Sequence, residues 1–337
     1  MKERNKSIQI IRIVAMFMIA MDHILFHCNF PLRSIILQIM NSGVFIFIFI
    51  SGCLYGGKKI ENWKNWFLRR IIRIMIPFWV FIIIDFVVEK IVWNYFEAKK
   101  AFAFVFNLQG FLGTTKCTQT LWFLTLIMIC YLLTPILYAI KRKKIRSGIV
   151  VFLVLLFLII QILISFSNIQ FMVYGHTLGW CLLALGIYGL GFFAGEKILS
   201  IQKKKICICI MTLIMIASSS LVLLAHKLFD GTSIYSTFAW YGIIIIDFWI
   251  ILILNMLGKM KFNGKAEMII NYLDGISYEF YLVHNMVVLL ISGVVLEKVN
   301  VIVYVLIAVV TSLLAAIVLN HLDKPLVKKL LKEISEE

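Results

Sequence analysis

The chain has 337 residues, of which 62% are hydrophobic and only 15% are charged. Soluble globular proteins carry about 25% charged residues, so this composition excludes a soluble fold, whose surface the few charges could not cover. The net charge of +16 would suit a nucleic-acid partner. The basic residues are instead grouped between apolar runs, and we therefore expect membrane lipid, and no nucleic acid, as a partner.

Apolar runs of about 20 residues follow one another along the chain, and each is long enough to cross a hydrocarbon core of about 30 Å. We predict spans at 8–28, 34–55, 74–95, 120–140, 148–166, 178–196, 206–227, 239–258, 277–297 and 300–320. A membrane β-barrel would show shorter, alternating segments, which these runs are not. The sequence predicts an all-α polytopic transmembrane bundle of about ten helices.

The chain contains only four prolines and no linker rich in Pro, Gly or Ser. We therefore expect residues 1–337 to form a single transmembrane domain without an attached soluble domain. Lys2, Arg4 and Lys6 precede the first apolar run, but no small-residue cleavage site follows it. That run is predicted to be a retained first span and not a cleaved signal.

Every second connecting segment is rich in Lys and Arg. Clusters of Lys and Arg lie within 58–73, 141–146, 203–205, 259–265 and 324–332, and the segments between these clusters carry few. By the positive-inside rule both termini are cytoplasmic. The long outer segment 96–119 contains the apolar stretch Ala101–Leu112, which is either an interfacial or re-entrant helix or a loop packed on the helix ends.

The first span holds the clearest set of ionisable groups within an apolar run: Arg12, Asp22, His23 and His27. Each such group costs about 2.5–3.5 kcal/mol on insertion scales, so it needs a reason to be there. Arg12 and His23 are eleven residues apart, which returns to nearly the same helix face about 16 Å along the axis. Both would then point into one tunnel, although an arginine near a helix end can also snorkel and a histidine can sit at the interface.

Five short stretches carry a resemblance to a known family. They are Ile10–Ala15 with His23, Gly43–Gly52, Phe67–Ile74 with Pro77, Leu121–Leu124 with Tyr131 and Pro135, and Ile276–His284. In this order they resemble the acyltransferase 3 family of integral membrane acyltransferases, including its Arg and His separated by ten residues. The tail departs from the pattern, since Asp323 and Pro325 stand where many relatives have Glu and Pro.

The resemblance implies a membrane O-acyltransferase of the plasma membrane. An acyl group, usually acetyl, would pass from cytosolic acyl-CoA to a hydroxyl of a cell-surface polysaccharide or a lipid-linked sugar. His23 would act as general base or as a covalent acyl relay. Arg12 would face an anionic group or a developing oxyanion. Acyl-CoA, with acetyl-CoA the usual donor, would be a co-substrate and not a permanently bound cofactor.

The resemblance also assigns binding residues. Arg69, Arg70 and Arg73 would bind the phosphates of CoA, for which guanidinium groups are suited; topology and lipid headgroups are their other explanation. The residues assigned to the substrate or the cavity are His284, Trp122, Tyr278, Tyr281 and Ser51. A hydrogen-bonded core histidine and interfacial aromatic anchors are the alternatives for His284 and for the aromatic residues.

Other residues receive no role from the family motifs. The seven cysteines show no metal-ligand spacing, so we expect no metal. Asp85, Glu89 and Asp247 lie within or near spans and would pair with histidines or arginines. His176, His226 and His321 are interpreted as interface residues.

Two other classes of function compete with the enzyme. A bundle of ten helices with buried charges is also typical of a transporter or exporter of a glycan or lipid-linked glycan. The sequence shows no inverted repeat with paired broken helices, and its buried charges lie near a cytoplasmic arginine cluster; both features favour the enzyme. A sensor or scaffold with a decayed active site is the third interpretation.

Overall fold

The computed structural model describes residues 5–95, 97–142, 147–167, 169–200, 205–229 and 233–336. These residues form fourteen α-helices. The helices are α1 (Lys6–Phe26), α2 (Arg33–Asn41), α3 (Gly43–Gly56), α4 (Trp63–Trp93), α5 (Ala98–Val105), α6 (Gln109–Leu112), α7 (Trp122–Arg142), α8 (Ser147–Ser167), α9 (Leu178–Ser200), α10 (Lys205–Phe229), α11 (Ser233–Leu257), α12 (Gly264–Gly275), α13 (Ser277–Val295) and α14 (Val301–Glu336).

The membrane-length helices follow the predicted order. Within the described part of the chain, nine helical segments are long and apolar enough to cross a membrane, with α2 and α3 forming one of them. Helix α8 corresponds to the predicted span 148–166, and its portion Leu155–Ser167 is a shorter apolar helix. The prediction of an all-α polytopic helix bundle is confirmed.

Two helices extend well beyond their predicted spans. The side chain of Asn62 accepts a hydrogen bond from the backbone N–H of Asn65, 3.0 Å away, and so caps α4 at its N-terminus. The arginines at 69–73, which we expected between spans, therefore lie on this helix. Helix α14 likewise continues past the predicted end at 320 to Glu336, so the basic tail is part of this helix.

The apolar stretch at 101–112 is largely helical, as α5 and α6. Between these helices the backbone of Asn107 adopts a left-handed conformation, with φ of 55°, which asparagine tolerates better than most residues. Its amide donates to the carbonyl oxygen of Leu124, 3.1 Å away. The amide of Gln109 donates to the carbonyl oxygen of Leu121, 2.9 Å away. These bonds attach the segment to the beginning of α7.

The contacts divide the chain into two compact units. The first unit consists of Met1–Ile19, Leu32–Lys58 and Leu126–Asn271, and the second of Ala20–Pro31, Lys59–Thr125 and Tyr272–Glu337. In the first unit, α3 packs against α9 through glycines. A Cβ atom on Gly52 would lie 2.2 Å from the carbonyl oxygen of Tyr188, and one on Gly191 would lie 2.2 Å from that of Phe49. Small residues allow membrane helices this close approach.

The second unit is built around α13, α14 and α4. Its apolar core includes Ile24 from the last turns of α1, Val288 from α13 and Tyr304 from α14, all fully buried. Most of the first half of α13 is buried as well. This unit therefore holds in its interior the helix that carries His284.

Candidate active site

Two histidines meet in the second unit. The ring centroids of His23, near the end of α1, and His284, on α13, are 5.3 Å apart, and the ring planes are tilted by 44°. The side chain of His23 is 33% exposed, whereas His284 is fully buried. The sequence named both residues, but their separation of more than 250 positions gave no reason to pair them.

The backbone determines which nitrogen of His284 carries its proton. Nδ1 lies 2.6 Å from the carbonyl oxygen of Tyr281, and a carbonyl oxygen only accepts hydrogen bonds. Nδ1 is therefore the donor, and in the neutral ring Nε2 holds the lone pair. Nε2 is buried and has no hydrogen-bond partner within the residues that the structure describes. His284 thus carries an unoccupied basic nitrogen in the protein interior.

A carboxylate lies next to this pair. Oδ2 of Asp22 is 4.0 Å from Nε2 of His23, which is longer than a hydrogen bond but close enough to attract a protonated ring. Asp22 is 8% exposed. The acid next to the histidine in sequence is thus also a neighbour in space, and it can stabilise the imidazolium that forms when His23 accepts a proton.

Aromatic side chains surround His284. The ring of Phe280 lies nearly parallel to that of His284, with centroids 6.4 Å apart, and the ring of Tyr281 is 5.7 Å away. Phe123 contacts Tyr281 at 5.7 Å and Trp122 at 6.2 Å between ring centroids. This cluster makes the surroundings of His284 largely apolar.

The predicted tyrosines use their hydroxyl groups to bind backbone. Tyr281 donates to the carbonyl oxygen of Thr120 at 2.6 Å, and Tyr278 donates to that of Ile74 at 2.8 Å. Tyr278 therefore attaches α13 to α4. Asn285, which the sequence analysis did not single out, donates to the carbonyl oxygen of Cys117 at 2.8 Å. These three bonds position the beginning of α13 and hence His284.

The predicted CoA-binding arginines lie on α4 of the same unit. Arg69 and Arg73 are both exposed and, being four residues apart on a helix, lie on one face. The guanidinium of Arg70 lies 5.7 Å from the centroid of the Trp66 ring, in a cation–π contact. Two of the three arginines thus present their guanidinium groups on one exposed helix face.

Arg12 and Ser51 belong to the first unit. The hydroxyl of Ser51 donates to the carbonyl oxygen of Phe47 in its own helix, 2.9 Å away, and the residue is buried. Arg12 is half-buried on the first turns of α1. A shared tunnel for Arg12 and His23, and a cavity role for Ser51, stay predictions.

A buried group of potential metal ligands was not recognised from the sequence. Donor atoms of Asp85, Glu89 and Cys117 all lie within 4.8 Å of one another, so these side chains could hold a metal ion. The hydroxyl of Thr115 donates to Asp85 at 3.0 Å, and the backbone N–H of Cys117 donates to Glu89 at 2.9 Å. Burial raises the pKa of the Cys117 thiol, which keeps it protonated and a poor ligand. What the group does in this structure is attach the segment 114–118 to α4.

A bundle of membrane-length helices with a close pair of histidines, one of them fully buried, defines a polytopic membrane protein with a candidate acid–base centre. The family model of the acyltransferase 3 domain matches residues 5–321, so the chain belongs to this family and is a membrane acyltransferase. The resemblance inferred from the five motifs is confirmed. Comparisons with curated proteins and with solved structures returned no match.

Proposed function

We propose that the protein is an O-acyltransferase of the plasma membrane. It moves an acyl group, usually acetyl, from cytosolic acyl-CoA to a hydroxyl of a cell-surface polysaccharide or lipid-linked sugar. The observation that carries this proposal is the close pair of His23 and His284, in which Nε2 of the buried His284 holds a lone pair without a partner among the described residues. Family membership supports acyl transfer, and the pair supplies bases for it.

In the direct route, His23 is the general base. The acceptor oxygen attacks the thioester carbonyl carbon, the new C–O bond forms, and the C–S bond breaks. The hydroxyl proton passes to His23 and then to the sulfur of CoA, which leaves as the thiol. Asp22 stabilises the imidazolium while the proton is held.

In the relay route, His23 first attacks the thioester with the lone pair of its unprotonated ring nitrogen. The C–N bond forms and the C–S bond breaks, and CoA leaves as the thiol with the proton that the other ring nitrogen gives up. The acceptor hydroxyl then attacks the acyl carbon, and Nε2 of His284 takes the hydroxyl proton while the C–O bond forms. The C–N bond breaks, and the proton passes from His284 to His23, which returns to its neutral form. Two neighbouring imidazoles suit this route, because one carries the acyl group while the other acts as base. A protein-bound acyl group that is released by hydroxylamine and accumulates in His284→Ala would select the relay route.

The proposed binding of the donor, acyl-CoA, depends on positively charged residues. Arg69 and Arg73 share an exposed face of α4, on the side that the positive-inside rule assigns to the cytoplasm. On α1, Arg12 lies nearer the cytoplasmic end of the helix and His23 lies nearer the outer end. This order supports a reaction in which the acyl group, and not the whole substrate, crosses the bilayer.

The test is transfer of label from acetyl-CoA, labelled in its acetyl group, to the glycan fraction of membranes that contain the protein. We expect His23→Ala to lose about 10²- to 10⁴-fold in rate, the usual contribution of a general base. His321→Ala is the matched control, since His321 is an exposed histidine on α14 of the same unit. Full transfer by His23→Ala would refute the catalytic assignment, and passage of unlabelled glycan into vesicles without acylation would favour an exporter.

A further inference from the structure

The first unit contains a cavity of about 350 Å³ whose lining includes no residue of the five family motifs. This volume lies at the lower end of the range of small-molecule sites, about 300–1,000 Å³. Its lining includes Asn41, Gln161, His176, Trp180, Trp240 and Tyr241. They come from α2, α8, α9, α11 and the segment between α8 and α9, so the cavity is a product of tertiary packing.

Two indoles form an apolar corner of the cavity. The rings of Trp180 and Trp240 have centroids 6.2 Å apart and planes at 77°. Phe45 packs against both, at 5.0 Å and 5.5 Å, and the ring of His176 lies 4.8 Å from Trp180. The indoles are therefore held in place by neighbours instead of being free to rotate, and they offer a preformed apolar surface.

The polar part of the cavity lining is formed by the hydrogen-bonded amide of Gln161 and the hydroxyl of Tyr241. Nε2 of Gln161 donates to the carbonyl oxygen of Gly179 and to the hydroxyl of Ser165, both 2.9 Å away. Its Oε1 accepts from the hydroxyl of Tyr241. The amide and the phenol are thus oriented before any ligand arrives. Among the described residues that line the cavity, none is Asp, Glu, Lys or Arg.

One wall of the cavity is a tight hairpin between α8 and α9. The backbone N–H of Leu178 donates to the carbonyl oxygen of Ile169 at 2.7 Å, and that of Phe171 donates to His176 at 3.1 Å. Tyr174 and Gly175 make the turn with φ of 59° and 81°. The segment 168–177 contains no Lys or Arg, whereas Lys203–Lys205 follow the other end of α9, so the positive-inside rule assigns the hairpin to the outer side.

We propose that this cavity binds one uncharged sugar ring of the acceptor glycan at the outer face. A sugar ring combines an apolar C–H face with hydroxyl groups, and the cavity pairs an indole corner with oriented amide and phenol groups. The lining without a charged side chain selects a neutral ring over a uronate or a phosphorylated sugar, whose charge would lose its hydration without a counter-charge. The assignment to the acceptor rests on the proposed function; the binding of the ring does not.

Saturation-transfer NMR on the full chain in lipid nanodiscs tests the proposal. The probes are methyl β-D-glucopyranoside and methyl N-acetyl-β-D-glucosaminide at millimolar concentration, with methyl β-D-glucuronide as the charged comparison. Detergents with sugar headgroups must be avoided in purification, because their headgroups would compete. We expect saturation of the ring C–H protons of at least one neutral glycoside and little of the glucuronide.

Variants at two tryptophans of α11 locate the binding. Trp240→Ala should weaken the affinity for the neutral glycoside at least tenfold. Trp249→Ala should leave it unchanged, because Trp249 lies outside the cavity lining and its indole donates to Thr212 at 3.1 Å. Circular dichroism and thermal unfolding of both variants confirm that they fold. The proposal is overturned if neither neutral glycoside binds, if the glucuronide binds equally well, or if Trp240→Ala binds like the wild type.

A further variant separates this proposal from the proposed enzyme activity. His23→Ala should bind the neutral glycoside like the wild type while it loses acyl transfer. Glycoside binding without any transfer by the wild type would refute the acyltransferase proposal and leave the sugar site in place. Transfer that persists while the glycosides fail to bind would refute the sugar site alone.

Discussion

A single backbone carbonyl determines what His284 can do. Because Tyr281 accepts the hydrogen bond from Nδ1, the basic lone pair lies on Nε2 of a ring whose centroid is 5.3 Å from that of His23. In the sequence, His284 is a candidate cavity residue, with a hydrogen-bonded core histidine as the alternative. The unpartnered Nε2 among the described residues favours a chemical role, since a structural histidine would normally use both ring nitrogens.

His284→Asn tests this role without removing the hydrogen bond. The amide of asparagine can donate to the carbonyl oxygen of Tyr281 in place of Nδ1, but it has no basic nitrogen at the position of Nε2. We expect the rate of acetyl transfer to fall by about 10²- to 10⁴-fold with little change in the thermal unfolding temperature. A rate within twofold of the wild type would show that His284 is structural.

His176 provides a test of the cavity by pH. It lies in the segment that connects α8 to α9, and burial lowers its pKa from 6.5 to about 4. The folded ring is therefore neutral from pH 8 to pH 5, and glycoside binding should be constant over this range and decline only as pH approaches 4. The unfolded chain binds more protons between the two pKa values, so folding stability also falls as pH drops from about 6.5 towards 4. An NMR titration with a binding midpoint near pH 6.5 would contradict the neutral ring.

At the scale of elements, the contact between α3 and α9 depends on glycines that four-residue spacing places on one face of each helix. A Cβ atom on Gly56 would lie 1.9 Å from the carbonyl oxygen of Phe192, and one on Gly195 would lie 2.3 Å from the sulfur of Cys53. The sequence identified the motif Gly43–Gly52 in α3 but not its partner helix. Apolar side chains cannot identify that partner, since lipid tails are as apolar as a neighbouring helix.

A single methyl group should separate α3 from α9. Gly191→Ala places a carbon 2.2 Å from the carbonyl oxygen of Phe49, so the helices must move apart, at a cost of about 1–3 kcal/mol for overpacking. Gly189→Ala on the same helix meets no atom within 4 Å and should be neutral or slightly stabilising. Thermal unfolding of both variants in one detergent measures the difference, and equal unfolding temperatures would contradict the close packing.

For the whole molecule, the arrangement of charges predicts which ends of the helices face the cytoplasm. Ile169 in the hairpin before α9 and Met260 after α11 are both exposed, and the positive-inside rule places them on opposite sides of the membrane. Ile169→Cys should react with a membrane-impermeant maleimide on intact cells. Met260→Cys should react only after the cells are permeabilised, and the wild type provides the background from native cysteines. The reverse pattern would invert the topology.

The sequence by itself determined the helical bundle, the order of its spans and the family, because apolar length, charge placement and short motifs are local properties of the chain. The predicted spans were wrong at some helix ends, since α4 begins earlier and α14 ends later than the apolar runs. A capping residue and a basic tail extend these helices without adding hydrophobicity. His23 and Arg12 were recognisable because both are ionisable groups within one apolar run.

Only the tertiary structure decided which distant side chains meet. Residues from different helices or segments come together in the pairing of His23 with His284, in the group of Asp85, Glu89 and Cys117, and in the cavity lined by Trp180 and Trp240. In a membrane protein the outer faces of the helices are as apolar as the inner ones, so hydrophobic periodicity does not reveal which face packs inward. That choice depends on shape, on close approach at glycines and on hydrogen bonds, which form only once the helices have associated.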